Sequence, residues 1–223
     1  MSTERVLEVG AMTMAAPTTT AGSMLGAVDR RHAGDYERSL ATMGHRLPLG
    51  WDAAGWRSRV AGYDLVLATP RTLSALGWFL MGSEDPELGR QVHQAHREAT
   101  RAVAVEFATA TGAEAPSLVG HGFDSARQPW LHAHLVYGAL AAGDDGFVPL
   151  DLERVEEQAD LHIFGYHLLV RHAVTDLIGE LGVRWAPPAD DGSCEVTGLS
   201  TRVLQAVEQP CRPLSEIAAC RLE

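Results

Sequence analysis

Between residues 117 and 150 three strand-like segments follow one another with no helical pattern between them. Residues 117–123 read as a strand, 124–129 as a loop holding Pro129, and 131–140 alternate as a strand does. Gly143-Asp144-Asp145-Gly146 is a turn signal, and 147–150 begins a return strand. Connections this short leave no room for a crossover helix, so neighbouring strands run antiparallel. An antiparallel sheet is therefore built into the middle of the chain.

The flanking patterns supply helices. Residues 63–68 (YDLVLA), bounded by Pro70, read as a buried strand. The spacing predicts a helix over 72–81, with Thr69 as its cap. Asp85-Pro86 restarts a helix to about Ala110, with Leu88, Val92, Ala95, Ala99, Ala102, Val103 and Phe107 on one face and Gly112 as its stop. Asp151 caps a helix to about Glu157, and the pattern resumes to Glu180. Residues 182–185 and 194–197 form a small hairpin, and 201–208 a last short helix. Residues 1–26, small and rich in Thr and Ala, read as an N-terminal arm. Residues 27–60 read as short helices and loops, and 27–223 as one α+β domain. The expected architecture is a mostly antiparallel sheet with helices packed on one face.

Charge narrows the function classes. All 18 basic residues are arginine, against 29 acidic ones, for a net charge of −11. Without lysine there is no Schiff-base chemistry and no P-loop lysine. The acidity disfavours binding to phosphate backbones or anionic lipid. No apolar run approaches the ~18 residues of a membrane span, and no basic segment leads an apolar one as in a secretory signal. Cys194, Cys211 and Cys220 are an odd, late set that fits free thiols. A cytoplasmic protein without membrane contact is expected.

Ten histidines are many for this length. In Trp130-Leu131-His132-Ala133-His134-Leu135-Val136, residues two apart in a strand share a face, so His132 and His134 stand side by side. His121 lies where a neighbouring strand would bring a third imidazole, enough for a divalent ion. A lone His-x-His pair suits surface histidines equally well; apolar neighbours favour imidazoles with partners. His162, His167 and His172 step by five and spread around a helix, and His93 with His96 reads as a wet helix face.

His132-Ala133-His134 is similar to the histidine–hydrophobe–histidine motif of HUH endonucleases, and its surroundings resemble the relaxase domain of TrwC/TraI-type conjugative proteins. That family carries a histidine, a loop with Ser, Arg and Asp-Pro-Gln, and then Leu-His-Thr-His. His121, Ser125, Arg127, Pro129, Leu131, His132 and His134 stand at matching offsets, while Gln128 and Trp130 depart from the pattern. Residues 62–74, ending in Thr69-Pro70-Arg71-Thr72-Leu73-Ser74, resemble the family's strand–helix segment, with Arg71 in place of its usual lysine. The resemblance extends over about residues 62–200.

The resemblance implies a palm-like antiparallel sheet and one divalent ion on His121, His132 and His134. Zn, Mn, Ni, Cu, Fe or Mg are compatible to different degrees. It also implies a role for Asp64, either orienting a ligand histidine or accepting a proton. A relaxase needs a tyrosine nucleophile near its N-terminus, often in an adjacent pair. This chain has Tyr36, Tyr63, Tyr137 and Tyr166, none adjacent, and only Tyr36 precedes the Asp64 segment. Arg30, Arg31, Arg38, Arg46, Arg57 and Arg59, with Trp51 and Trp56, make a locally basic stretch. The leading expectation is a stand-alone metal-dependent enzyme acting on a small molecule in a specialised biosynthetic pathway. The alternatives are a divergent relaxase nicking single-stranded DNA through Tyr36, and a non-catalytic subunit for a protein partner.

Overall fold

A computed structural model describes residues 23–29, 33–42, 60–124, 126–143 and 146–208. Its main sheet has four strands: β1 (Met24–Asp29), β2 (Val60–Ala68), β3 (Ser117–Phe123) and β4 (Pro129–Gly138). They lie in the order β1-β2-β4-β3, and every neighbouring pair is antiparallel. The central β4 alternates. Leu131, Ala133, Leu135 and Tyr137 point to one face, and Trp130, His132, His134 and Val136 to the other. The register sets Tyr63, Leu65 and Leu67 of β2 beside the first group, and Asp64, Val66 and Ala68 beside the second.

Three helices cover the first face: α2 (Arg71–Met81), α3 (Pro86–Thr111) and α4 (Leu152–Glu180). Leu65, Leu67, Leu135 and Tyr137 join Leu73, Val92, Val103, Phe107, Tyr166 and Val174 in one core. Each such side chain contributes about 1.5–3 kcal/mol by leaving water. The α2–α3 contact is close because of glycine. A Cβ on Gly89 would stand 2.5 Å from the Met81 nitrogen. Helix starts follow local chemistry: the Asp85 carboxylate accepts from the Glu87 N–H, and that of Asp151 from the Glu153 and Arg154 N–H groups.

Several expectations change. Strand β1 begins at Met24, so residues 24–26 belong to the sheet, and 27–29 are strand where short helices and loops are expected. Helix α1 (Ala33–Thr42) agrees with the expectation for that region. Residues 1–22 and 43–59 lie outside the described residues, and with them Arg46, Trp51, Trp56, Arg57 and Arg59. The expected 131–140 strand is two. At Ala139 the chain leaves the sheet: its N–H donates to Ala61 and its carbonyl accepts from Leu150. Among the described residues, strand β5 (Leu140–Gly143) then pairs only with β6 (Gly146–Pro149).

Helix α4 runs unbroken for 29 residues, because Val155 and Ala159 are buried and carry the core face across the expected pause. Strands β7 (Arg184–Trp185) and β8 (Val196–Thr197) form the expected hairpin, and α5 (Thr201–Glu208) follows it. Cys194 is a buried free thiol; Cys211 and Cys220 lie outside the described residues. Among the described residues, no helix is long and apolar enough to cross a membrane.

Candidate metal centre

The strand period and the β3–β4 register assemble three imidazoles. His132 and His134 share a face of β4, and His121 on β3 pairs directly with His132. The rings of His121 and His132 stack at 5.0 Å, and His134 stands edge-on to both, at 5.5 and 5.3 Å. One nitrogen from each lies within 4.8 Å of the others, and this is the one such group among the described residues. A tetrahedral ion bound at about 2.0–2.1 Å holds donors roughly 3.3 Å apart, so modest side-chain rotation closes this set into ligand geometry.

Two rings are fixed in the tautomer a metal requires. His134 Nδ1 donates to Asp64 Oδ2 at 2.8 Å, and His132 Nδ1 donates to the Trp130 carbonyl at 2.9 Å. Both rings thereby keep Nε2 as the free lone pair. Burial lowers the His132 pKa to about 3, against the opposing pull of the Trp130 carbonyl, so this ring is neutral at pH 7. Burial also works against a charged His134, but the Asp64 charge and hydrogen bond outweigh it, and the pKa is raised. Three imidazoles, with a buried carboxylate behind one of them, fit a divalent cation.

Sequence reasoning missed the frame that holds these rings. Trp130 stacks on His132 at 4.0 Å, and the Arg71 guanidinium lies 4.7 Å over Trp130. Arg71 also donates to Asp124 Oδ2 at 2.7 Å, and Asp124 Oδ1 accepts the Gln128 N–H at 2.8 Å. These bonds close the β3–β4 loop, where Arg127 takes a left-handed φ of 60°. Thr69 is not the α2 cap. Its hydroxyl meets Ser74 Oγ at 2.6 Å, its N–H donates to the Leu131 carbonyl at 2.9 Å, and Ser74 Oγ accepts the Leu131 N–H at 3.0 Å. The backbone one residue before His132 is thus clamped. The Thr69–Ser74 spacing, across the turn from β2 into α2, is the signal that could have shown it.

The remaining candidates separate. Tyr36 falls within α1, but its side chain lies outside the described residues, as does Ser125. Tyr63, Tyr137 and Tyr166 are buried in the core, and burial raises all three pKa values. His96 is not on a wet face: it is buried, and its Nδ1 meets the Tyr166 hydroxyl at 2.6 Å. His162 binds the Gln158 carbonyl, His167 lies 3.3 Å from Ser23 Oγ, and His172 is exposed. The three do not converge.

No family model matches this sequence, and no curated protein matches it. Solved structures do. A structure of TrwC with a 27-mer DNA comprising the recognition hairpin and the cleavage site superposes with a TM-score of 0.59, at 17% identity, over 88% of this chain and 81% of that one. The conjugative relaxase TrwC with mutant oriT DNA gives 0.57 at 15% identity, over 90% and 83%. A copper-bound complex of TrwC with oriT DNA gives 0.58 at 15% identity, over 83% and 80%. The four-stranded antiparallel sheet with helices on one face is thus an α+β, relaxase-like fold, shared with these TrwC structures.

Proposed function

We propose that this chain forms a metal-dependent enzyme acting on a small molecule in a specialised biosynthetic pathway. One divalent ion on His121, His132 and His134 would supply Lewis-acid chemistry, polarising a substrate oxygen. The observation that carries the reading is the cluster of three imidazoles with one nitrogen each within 4.8 Å of the others, two of them held through Nδ1 so that Nε2 keeps its lone pair. Asp64 acts as a positioning residue: it holds His134 and balances part of the cation's charge. Trp130, Val66, Val119 and Val136 are buried on the same sheet face and keep the centre's surroundings apolar.

Two features favour a small substrate over DNA. Arg71, the cation beside the stack, is already paired with Asp124 and so offers little to a phosphate backbone. Three of the four tyrosines are packed in the core with raised pKa values, which is the wrong setting for a phenolate nucleophile. A second reading, nicking of single-stranded DNA through Tyr36, has one support: the fold is shared over most of the chain with TrwC in DNA complexes. A non-catalytic subunit that keeps the fold is the third.

Metal analysis of the purified protein comes first. About one ion per chain, lost in His132→Ala, supports the enzyme readings; a metal-free wild type after exposure to Zn, Mn, Ni and Cu overturns both. A gel assay for a covalent adduct with labelled single-stranded DNA separates them. An adduct that disappears in Tyr36→Phe replaces the small-molecule reading with the relaxase one.

A further inference from the structure

Two polar side chains lie inside the helix-side core and take no part in the centre described above. His96 of α3 is 3% exposed, and Tyr166 of α4 is fully buried. His96 Nδ1 meets the Tyr166 hydroxyl at 2.6 Å, with the two rings edge to face. A polar pair in an apolar core is costly unless its bonds are made, and once they are made it fixes the parts it joins. The packing of α3 shows what lies on the far side of His96. Farther along this helix the Tyr137 hydroxyl donates to the Ala104 carbonyl at 3.2 Å, and the Tyr137 ring lies 4.9 Å from that of Phe107. His96 stands about two turns before Ala104, roughly 12 Å back along the axis. The same distance along β4 from Tyr137 is about three to four residues, which reaches Ala133 and its neighbours. There the backbone carbonyl of His132 faces the His96 ring and acts on it as a hydrogen-bond acceptor. A carbonyl only accepts, so the ring hydrogen on that side belongs to His96 Nε2, and Nδ1 is the lone pair that takes the Tyr166 O–H. Burial supports this assignment, because it keeps the phenol protonated and the imidazole neutral.

We propose that His96 and Tyr166 are positioning residues of the histidine centre: the row from the Tyr166 O–H through His96 to the His132 carbonyl fixes the peptide from which the His132 ring projects, and so aims its Nε2. This role presupposes that His121, His132 and His134 hold a metal. The strand needs such support at this point. β4 begins at Pro129, which has no N–H to give, and the β3–β4 register shifts between His121 and Phe123. The ladder is therefore irregular just before His132. The bond from His132 Nδ1 to the Trp130 carbonyl sets the rotation of the ring, and the row sets the backbone beneath it.

Zinc affinity of the full chain, by competition with a chromophoric chelator at about pH 7.5 where free imidazoles are neutral, tests this. The visible spectrum of cobalt-loaded protein reports the ligand geometry alongside it. His96→Leu removes both bonds of the row and should weaken zinc binding about 10–100-fold, the usual effect of losing an outer partner of a ligand. Its cobalt bands should shift as well. His96→Gln keeps an N–H donor and should recover most of the affinity and the wild-type bands. Tyr166→Phe deletes only the O–H and should fall between them. Val103→Ala, a truncation in the same buried face of α3, is the control: it should lower stability and leave affinity and spectrum unchanged. Far-UV circular dichroism confirms that each variant is folded, and Tyr166→Phe decides if His96→Leu is not. Equal zinc affinity in wild type, His96→Leu and Tyr166→Phe overturns the positioning role and leaves the centre standing. A loss in Val103→Ala as large as that in His96→Leu also overturns it, since loosening of α3 would then suffice. A wild type that binds no zinc overturns the centre itself, and the role with it.

Discussion

The two faces of the main sheet are made by the same strands and differ in almost everything else. On the helix side, β4 offers Leu131, Ala133, Leu135 and Tyr137, and these pack against α2, α3 and α4 with little polar content. On the other side it offers Trp130, His132, His134 and Val136, joined by Asp64 from β2 and His121 from β3. Of the polar groups on this second face Asp64 and His132 are buried and His121 and His134 half-buried, and each described bond there fixes a ring or a loop. One face spends its positions on cohesion and the other on orientation. A strand can do both because its side-chain period is two. A slip of one residue would exchange the faces and destroy both.

The sharpest separation is expected from His132→Ala. Removing the central ligand should drop bound metal from about one per chain to a trace, a loss of affinity of roughly a thousandfold or more. The rise in melting temperature that added metal gives the wild type should vanish as well, since that rise is the binding free energy expressed as stability. Metal-free stability should fall much less. Equal metal content in wild type and variant, by mass spectrometry of dialysed protein, would show that His132 is not a ligand.

The mirror experiment is Leu135→Ala, three residues along the strand from His132 and on the opposite face. Leu135 is fully buried in the helix-side core. Truncation should cost about 2–5 kcal/mol in urea unfolding through lost burial and a residual cavity. Metal affinity in the folded fraction should stay within a factor of a few. If metal affinity falls as far as stability, the two faces are not separable.

Part of this division is legible in the sequence and part is not. The alternation of β4 is local, so the His132–His134 pair and its apolar partners can be read from spacing alone. His121 depends on which strand lies beside β4, and its place across the short Pro129 loop, together with its offset in the relaxase-like pattern, points to it. Arg71 and Asp124 are 53 residues apart, and His96 and Tyr166 are 70. No local period encodes such contacts. Thr69 looks like a helix cap because the local rule is sound, but Ser74 and Leu131 offer its hydroxyl and N–H better-placed partners. Strand β1 is hidden in a small-residue segment because its pairing with β2, not its own propensity, makes it a strand.

Acid should weaken the fold from the helix side through His96. Burial lowers its pKa to about 4, with the neighbouring His93 adding to the effect. An unfolded chain takes up that proton near pH 6.5, while the folded one resists until about pH 4. The unfolded state therefore binds more protons throughout that window, and stability falls as pH drops from about 6.5 toward 4. The contribution is about 3 kcal/mol when the window is crossed completely. His96→Gln should flatten the pH dependence of urea unfolding by about that amount over this window while leaving metal stoichiometry at pH 7 unchanged. Parallel curves for wild type and variant would mean that the His96–Tyr166 contact does not carry the penalty.

Asp64→Asn probes the histidine face most finely, because it preserves shape and removes only charge. The amide oxygen can still accept from His134 Nδ1, so the ring orientation is largely kept. Two things are lost. The carboxylate no longer raises the His134 pKa, so the ring should titrate at lower pH by NMR of the metal-free protein. The bound cation also loses a buried negative charge close behind its ligand, which should weaken metal binding about 10–100-fold in a competition titration. These effects oppose each other below the wild-type His134 pKa, where a less basic ring competes less for its proton. The defect in affinity should therefore be largest above that pKa and shrink as the pH falls through it. A defect of constant size across that range would assign the Asp64 contribution to geometry alone. Unchanged affinity at every pH would remove Asp64 from the centre and leave the histidine face distinguished from the helix face by its imidazoles only.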